Sequence, residues 1–203
     1  MKKRYKKHVT KKETTMTRIK NWSVSILLAG AMLWGLQCYS ASSLKFAQVS
    51  DVHFYTGENN TTFKMIAESP KLSDDAIDQI NSTPNVSFVM FTGDQIDKSF
   101  EKELSAFLPH TTKLNAPWYF AFGNHDTCIG GYLTPALYMQ LVNEYNKNYK
   151  FEKSYYSFVP QKGYKAIVLD TIIRDRLTSN GRLGEQQLAW LDNELSNSKK
   201  DTV

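Results

Sequence analysis

Five side chains able to bind metal stand directly after apolar runs in this chain. Ala47 to His53 reads A-Q-V-S-D-V-H, Phe88 to Asp97 reads F-V-M-F-T-G-D-Q-I-D, and Phe120 to Asp126 reads F-A-F-G-N-H-D. Each run suits a strand that ends in a carboxylate, imidazole or carboxamide, so Asp51, His53, Asp94, Asn124 and His125 are expected at one sheet edge. Two carboxylates, an imidazole and an amide oxygen suit divalent ions such as Mn²⁺, Fe²⁺ or Zn²⁺. Asp94 follows Gly93 and can approach closely, and its two oxygens can bridge two ions about 3.5 to 4 Å apart. Such a pair polarises a phosphate ester and produces a hydroxide nucleophile near neutral pH. His125, left free of metal, is then the group that protonates the departing oxygen, with Asp126 orienting its imidazole.

Taken singly, each motif has an ordinary explanation. D-x-H occurs as surface polarity at strand ends, G-D-x-x-D as a turn with Asp97 capping the next helix, and G-N-H-D as an Asn-His turn. His110, beside Pro109 at a helix end, reads as a solvated residue. What raises the three motifs above chance is their order, each at the end of an apolar run.

The elements that must position them alternate between strand and helix. Lys45 to Ser50, Val86 to Thr92 and Ala116 to Phe122 read as strands, the second buried on both faces. Between them, Ser73 to Ile80 and Phe100 to Leu114 show helical spacing, the latter ended or bent by Pro109. Tyr55 to Pro70 is a polar connection beside the candidate site, of a length that is more often functional than idle. Beyond a Gly-containing loop at Thr127 to Leu133, Thr134 and Pro135 open a helix from about Ala136 to Asn148. Ser154 to Pro160 and Tyr164 to Asp170 then form a hairpin across Gln161 to Gly163. Arg174 to Arg182 is loop-like, and Glu185 to Leu195 is a final amphipathic helix.

Composition narrows the function classes. With 203 residues, 41% of them hydrophobic and 13% aromatic, the chain can bury the core of one globular domain, which argues against wholesale disorder. The sequence pI of about 9.0 misleads, because residues 1–20 hold nine of the 25 Lys and Arg and one of the 20 acidic residues. The remainder has 16 basic against 19 acidic residues, and offers no compositional support for a nucleic-acid-binding surface. The basic segment precedes an apolar run from Trp22 to Leu36 and small residues at Ser40 to Ser43. That order predicts a signal peptide over residues 1–42, export to the periplasm or the exterior, and membrane contact only through this leader. A lipidated Cys38 and an uncleaved signal anchor are the alternatives. Cys128 is then unpaired in the mature chain, so no disulfide framework is expected.

Asp51-Val52-His53, Gly93-Asp94-Gln95-Ile96-Asp97 and Gly123-Asn124-His125-Asp126 resemble the first three motifs of the calcineurin-like metallophosphoesterases. Leu183 to Leu195 resembles the helix that these enzymes often carry before a fourth motif. The likeness covers about residues 44–203. It implies an α/β fold, a sandwich of two mixed β-sheets flanked by helices in four αββα layers, and two divalent metal ions used to hydrolyse phosphomonoesters or phosphodiesters, nucleotides among them. By that resemblance Asp51 and His53 hold the first ion, Asp94 bridges, Asn124 holds the second, and His125 is the general acid. Members of the purple type place a Tyr where this chain has Asp97, which argues against that subgroup. The family also supplies later histidines, whereas none follows His125 here. The chain is therefore expected to be a truncated domain with an incomplete second metal site. Two function classes follow: a metal-dependent phosphoesterase, or a non-catalytic remnant or binding module with the same fold.

Overall fold

In the computed structural model, which describes residues 43–176, 178–198 and 203, three parallel strands carry the candidate site. They are β1 (Phe46–Val49), β2 (Phe88–Thr92) and β3 (Trp118–Ala121), in the order β1-β2-β3. Val89, in the central strand, pairs with Ala47 on one side and with Trp118 on the other. Phe88, Val89 and Phe91 are all buried, as befits an apolar strand covered on both faces. The connection from β1 to β2 contains helix α1 (Ser69–Ser82), and that from β2 to β3 contains α2 (Glu101–Thr111). Parallel neighbours require such crossovers, which leave all three strands running the same way with their carboxyl ends on one edge.

The helices differ at their ends from what periodicity implies. Helix α1 starts four residues earlier than predicted, with Pro70 in its first turn, where a missing N–H costs nothing. Pro109 lies inside α2, which stops two residues later at Thr111. His110 is no free surface residue. Its Nδ1 lies 2.6 Å from Asp74 Oδ1, its ring packs on Phe54, and Lys113 joins the same carboxylate, so α1 and α2 are clamped together.

A four-residue turn of helix, α3 (Asn124–Thr127), follows β3, and α4 (Pro135–Tyr145) packs against α2. Thr134 caps α4 by accepting from Leu137 N. The helix ends short of the predicted Asn148 because Asn146 competes for backbone groups. Its Oδ1 accepts from Asn148 N and Tyr149 N, and its Nδ2 donates to Trp118 O.

The predicted hairpin is present as β4 (Tyr156–Gln161) and β5 (Tyr164–Val168), antiparallel, with a register shift between Phe158 and Gln161 around Pro160. β5 stops before Asp170, where the Gln187 side chain takes over as pairing partner: its Oε1 accepts from Asp170 N and its Nε2 donates to Asp170 O. Gln187 belongs to α5 (Glu185–Ser196), the last described helix. On the other edge of β5, Val203 N donates to Gly163 O and Lys165 N to Val203 O. Leu44–Val203 forms one compact unit, and residues 1–42, where the leader is predicted, lie outside the described residues.

What closes the outer edge of β3 is side-chain chemistry. Trp118 and Phe120 turn their backbone groups away from β2, and the Tyr156 hydroxyl meets the second of them. It accepts from Phe120 N at 3.0 Å and donates to Phe120 O at 2.6 Å. Phe158, two residues on, stacks on Tyr119 and meets Phe88 edge to face, so the hairpin is held by an aromatic layer. Tyr156→Phe keeps that layer but strands two buried backbone groups. The expected cost is about 1 to 3 kcal/mol, read as a lower urea midpoint with an unchanged slope.

Candidate metal centre

The three strand ends meet as the sequence implies. After Val49 the backbone continues beside the β2 loop: Asp51 N donates to Gly93 O, His53 N to Asp94 O and Phe54 N to Gln95 O. Asp51, His53 and Asp94 have φ of 55°, 45° and 52°, three of the four non-glycine residues with positive φ among those described. Each left-handed residue costs about 1 to 2 kcal/mol, which the hydrogen bonds between the loops offset.

Gly93 (φ 102°) makes the turn into Asp94. At Gly123 the requirement is space, since a Cβ there would overlap Asp94 Oδ1 and Asp94 N. This close approach lets Asp94 Oδ1 accept from His125 N at 3.0 Å, tying the second motif to the third.

The cluster's centre is His53, Asp94 and His125, each of which offers one ligand atom within 4.8 Å of the others. His53 Nε2 lies 3.7 Å from Asp94 Oδ2 and 3.9 Å from Asp51 Oδ1, and the His53 and His125 rings meet edge to face at 4.6 Å. Asp51 is the outer member, its side chain 66% exposed and hydrogen-bonded by Ser50 Oγ. Asn124 opens α3, its carbonyl accepting from Cys128 N and Ile129 N. Imidazoles and carboxylates gathered this tightly fit a divalent ion.

Burial, then the charges of Lys64 and His125, hold the His53 imidazole below its usual 6.5, against the opposing pull of Asp94 and Asp97. The neutral ring is the form that has a lone pair to give. Asp97, expected to cap a helix, lies with Oδ1 3.2 Å from His53 Nδ1. Its backbone carbonyl, 2.5 Å from His125 Nδ1, accepts from that ring as well. A single residue therefore orients both imidazoles, and the sequence reading overlooked it in that role.

Asp126 does something other than orient His125. It is fully buried, and its carboxylate accepts from four backbone N–H groups: Gly123 at 2.7 Å, Gln95 at 2.8 Å, Asp94 at 3.0 Å and Ile96 at 3.3 Å. Desolvation pushes this carboxyl up to about 8, Asp94 adding to the rise while the donated N–H groups oppose it. Asp126 is the post on which the second and third loops hang.

Lys64, from the polar connection after β1, was also missed, its only sequence signal being the length of that connection. Its Nζ lies 3.2 Å from Asp97 Oδ1 and within 3.3 Å of both His53 ring nitrogens. At the start of the same connection, buried Glu103 accepts from Thr56 N and Thr56 Oγ1.

A family model described as calcineurin-like phosphoesterase matches residues 44–202. The chain belongs to that family. Among curated proteins it is similar to one named "Probable glycerophosphodiester phosphodiesterase GpdQ" from Arcobacter nitrofigilis, 26% identical over 73% of this chain and 50% of that protein. It is also similar to tartrate-resistant acid phosphatase type 5 of Oryctolagus cuniculus, 24% identical over 90% of this chain and 61% of that protein. The same phosphatase from Rattus norvegicus is 24% identical over 80% of this chain and 54% of that protein. The chain thus spans about half to three-fifths of the length of the curated relatives it matches.

Asp126→Asn tests the anchoring role. An amide NH₂ then faces N–H donors that had an oxygen, and the expected loss is about 2 to 4 kcal/mol in urea unfolding. An unchanged midpoint would contradict it.

Proposed function

We propose that this chain carries the first three motifs of a metal-dependent phosphoesterase acting on small phosphomonoesters or phosphodiesters, nucleotides included. The observation that carries the reading is the convergence of His53, Asp94 and His125 within 4.8 Å at the ends of three parallel strands, in a chain of the calcineurin-like family. The curated relatives, one named as a phosphodiesterase and the other as a phosphatase, support the substrate class without choosing between monoester and diester.

In this reading Asp51 and His53 hold one divalent ion, Asn124 a second, and Asp94 serves both. Bound there, such ions supply Lewis acidity, drawing charge from phosphoryl oxygens and lowering the pKa of water. The remaining work belongs to the protein. With Asp97 Oδ1 against His53 Nδ1, the lone pair on Nε2 faces Asp94 and Asp51, an outer-shell pairing that fixes the tautomer of a metal-binding histidine. The Asp97 carbonyl accepts a hydrogen bond from Nδ1 of His125 in the same way, so Nε2 of that ring is the atom that delivers a proton to the departing oxygen. The layered arrangement of two sheets between helices, and export directed by residues 1–42, belong to the same proposal. The first rests on family membership, and the second on the charge and hydropathy order of the leader.

Two variants separate the roles. In a version of the protein that carries the family's later histidines, Asp94→Asn is expected to abolish binding of a second ion, because a neutral amide bridges cations poorly. Calorimetric titration with Mn²⁺ checks this, and two ions held at undiminished affinity would sink the bridging role. For His125→Ala, metal binding should persist while turnover falls about 10²- to 10⁴-fold, most for esters with poor leaving groups. A collapse of metal affinity would make His125 a ligand instead, the role its place in the cluster also allows.

A further inference from the structure

The strand that leads to Asp51 borders an apolar cleft. Between β1 and α1 lies a cavity of about 190 Å³, floored by the buried side chains of Ile77, Phe91 and Phe107, with the half-exposed Leu72 at its rim. Among the described residues that line it, Asp51 alone is charged. Three serines line it too, but each hydroxyl proton is already placed: Ser50 Oγ donates to Asp51 Oδ2, Ser69 Oγ to Ile66 O and Ser73 Oγ to Ser69 O.

Size and polarity decide what such a cleft takes. Whole small-molecule sites occupy about 300 to 1,000 Å³, so this volume holds one part of a ligand and not all of it. An apolar cavity of about 150 Å³ admits benzene, which makes an aryl ring or a short alkyl chain the group that fits. A sugar or glycerol would bring its hydroxyls to walls that are mostly carbon, and would lose hydrogen bonds to water without replacing them.

Asp51 joins the cleft to the metal centre. Its Oδ1 lies 3.9 Å from His53 Nε2, so the carboxylate at the polar end of the cleft is also the outer member of the centre. The two share one wall, and a phosphoryl group at the centre is a side chain's width from the cleft. We propose that the cleft between β1 and α1 is the subsite for the organic group of the substrate, and that it favours aryl and short alkyl phosphate esters over those of sugars or glycerol. This selectivity deepens the phosphoesterase reading above, on which it rests.

The test uses the 203-residue protein with excess Mn²⁺ and two phosphonates that have no ester bond to hydrolyse, phenylphosphonate and methylphosphonate. In calorimetric titration the phenyl compound is expected to bind about tenfold tighter, as burial of part of a ring implies. Ala76→Leu, which places a larger side chain in the cleft from α1, should erase that advantage. Its affinity for methylphosphonate should be unchanged, which also shows the fold to be intact. Leu72→Ser, at a position 53% exposed where folding is not at stake, should reduce the advantage. Toluene needs no metal: its NMR contacts with the Ile77 methyls are expected in the unmutated protein and not in Ala76→Leu. Equal affinity for the two phosphonates, or a phenyl advantage that survives both substitutions, overturns the subsite, and so does toluene that stays out of the cleft. Toluene that enters while neither phosphonate binds places the failure in the metal-centre reading, and the subsite falls with it.

Discussion

The buried carboxylate of Asp126 is the constraint on which the candidate site depends. It gathers the N–H groups of Asp94, Gln95, Ile96 and Gly123, so the loop after β2 and the loop after β3 share one acceptor. Asp94 then takes its place between its own backbone, held by Asp126, and the N–H of His125, which binds its side chain. The loop after β1 joins last, through His53 N on Asp94 O. The positive-φ backbone of Asp51, His53 and Asp94 lies within this hydrogen-bonded network, which holds it in place. Among the described residues no buried side-chain nitrogen or oxygen lacks a partner.

Charge organises the centre as strongly as hydrogen bonding does. Asp51, Asp94 and Asp97 face one half-buried region, and such crowding is tolerable only with compensating positive charge. Lys64 provides part of it, and burial, then that same ammonium, lowers the pKa of His53. Asp97 connects them, since its side chain holds Lys64 and His53 while its carbonyl holds His125.

The hairpin matters to the site at a distance. Without Tyr156 on Phe120, the outer edge of β3 would present buried, unpaired backbone groups just two residues before the turn that carries Gly123 and Asn124. With the hydroxyl on Phe120 and the Asn146 amide on Trp118 O that edge is closed, and the turn starts from a fixed strand end.

Periodicity and motif spacing alone determined that strands alternate with helices, that three apolar runs end in residues of metal-ligating type, and that Tyr156–Gln161 and Tyr164–Val168 form a hairpin. These features are local: a run of β-branched and aromatic residues, or a glycine before a carboxylate, has the same preference wherever the chain goes. The role of Asp126 was not legible, because its partners Asp94 to Ile96 lie about thirty residues away and only the parallel pairing of β2 with β3 sets them beside it. The contacts of Lys64 and Asp97 with His53 were not legible either, because they arise between the segments after β1 and β2 with no fixed spacing. A sequence records which groups a chain owns; which carboxylate orients an imidazole, which one anchors a backbone, and which lysine fills the gap are decided only when the strand ends converge.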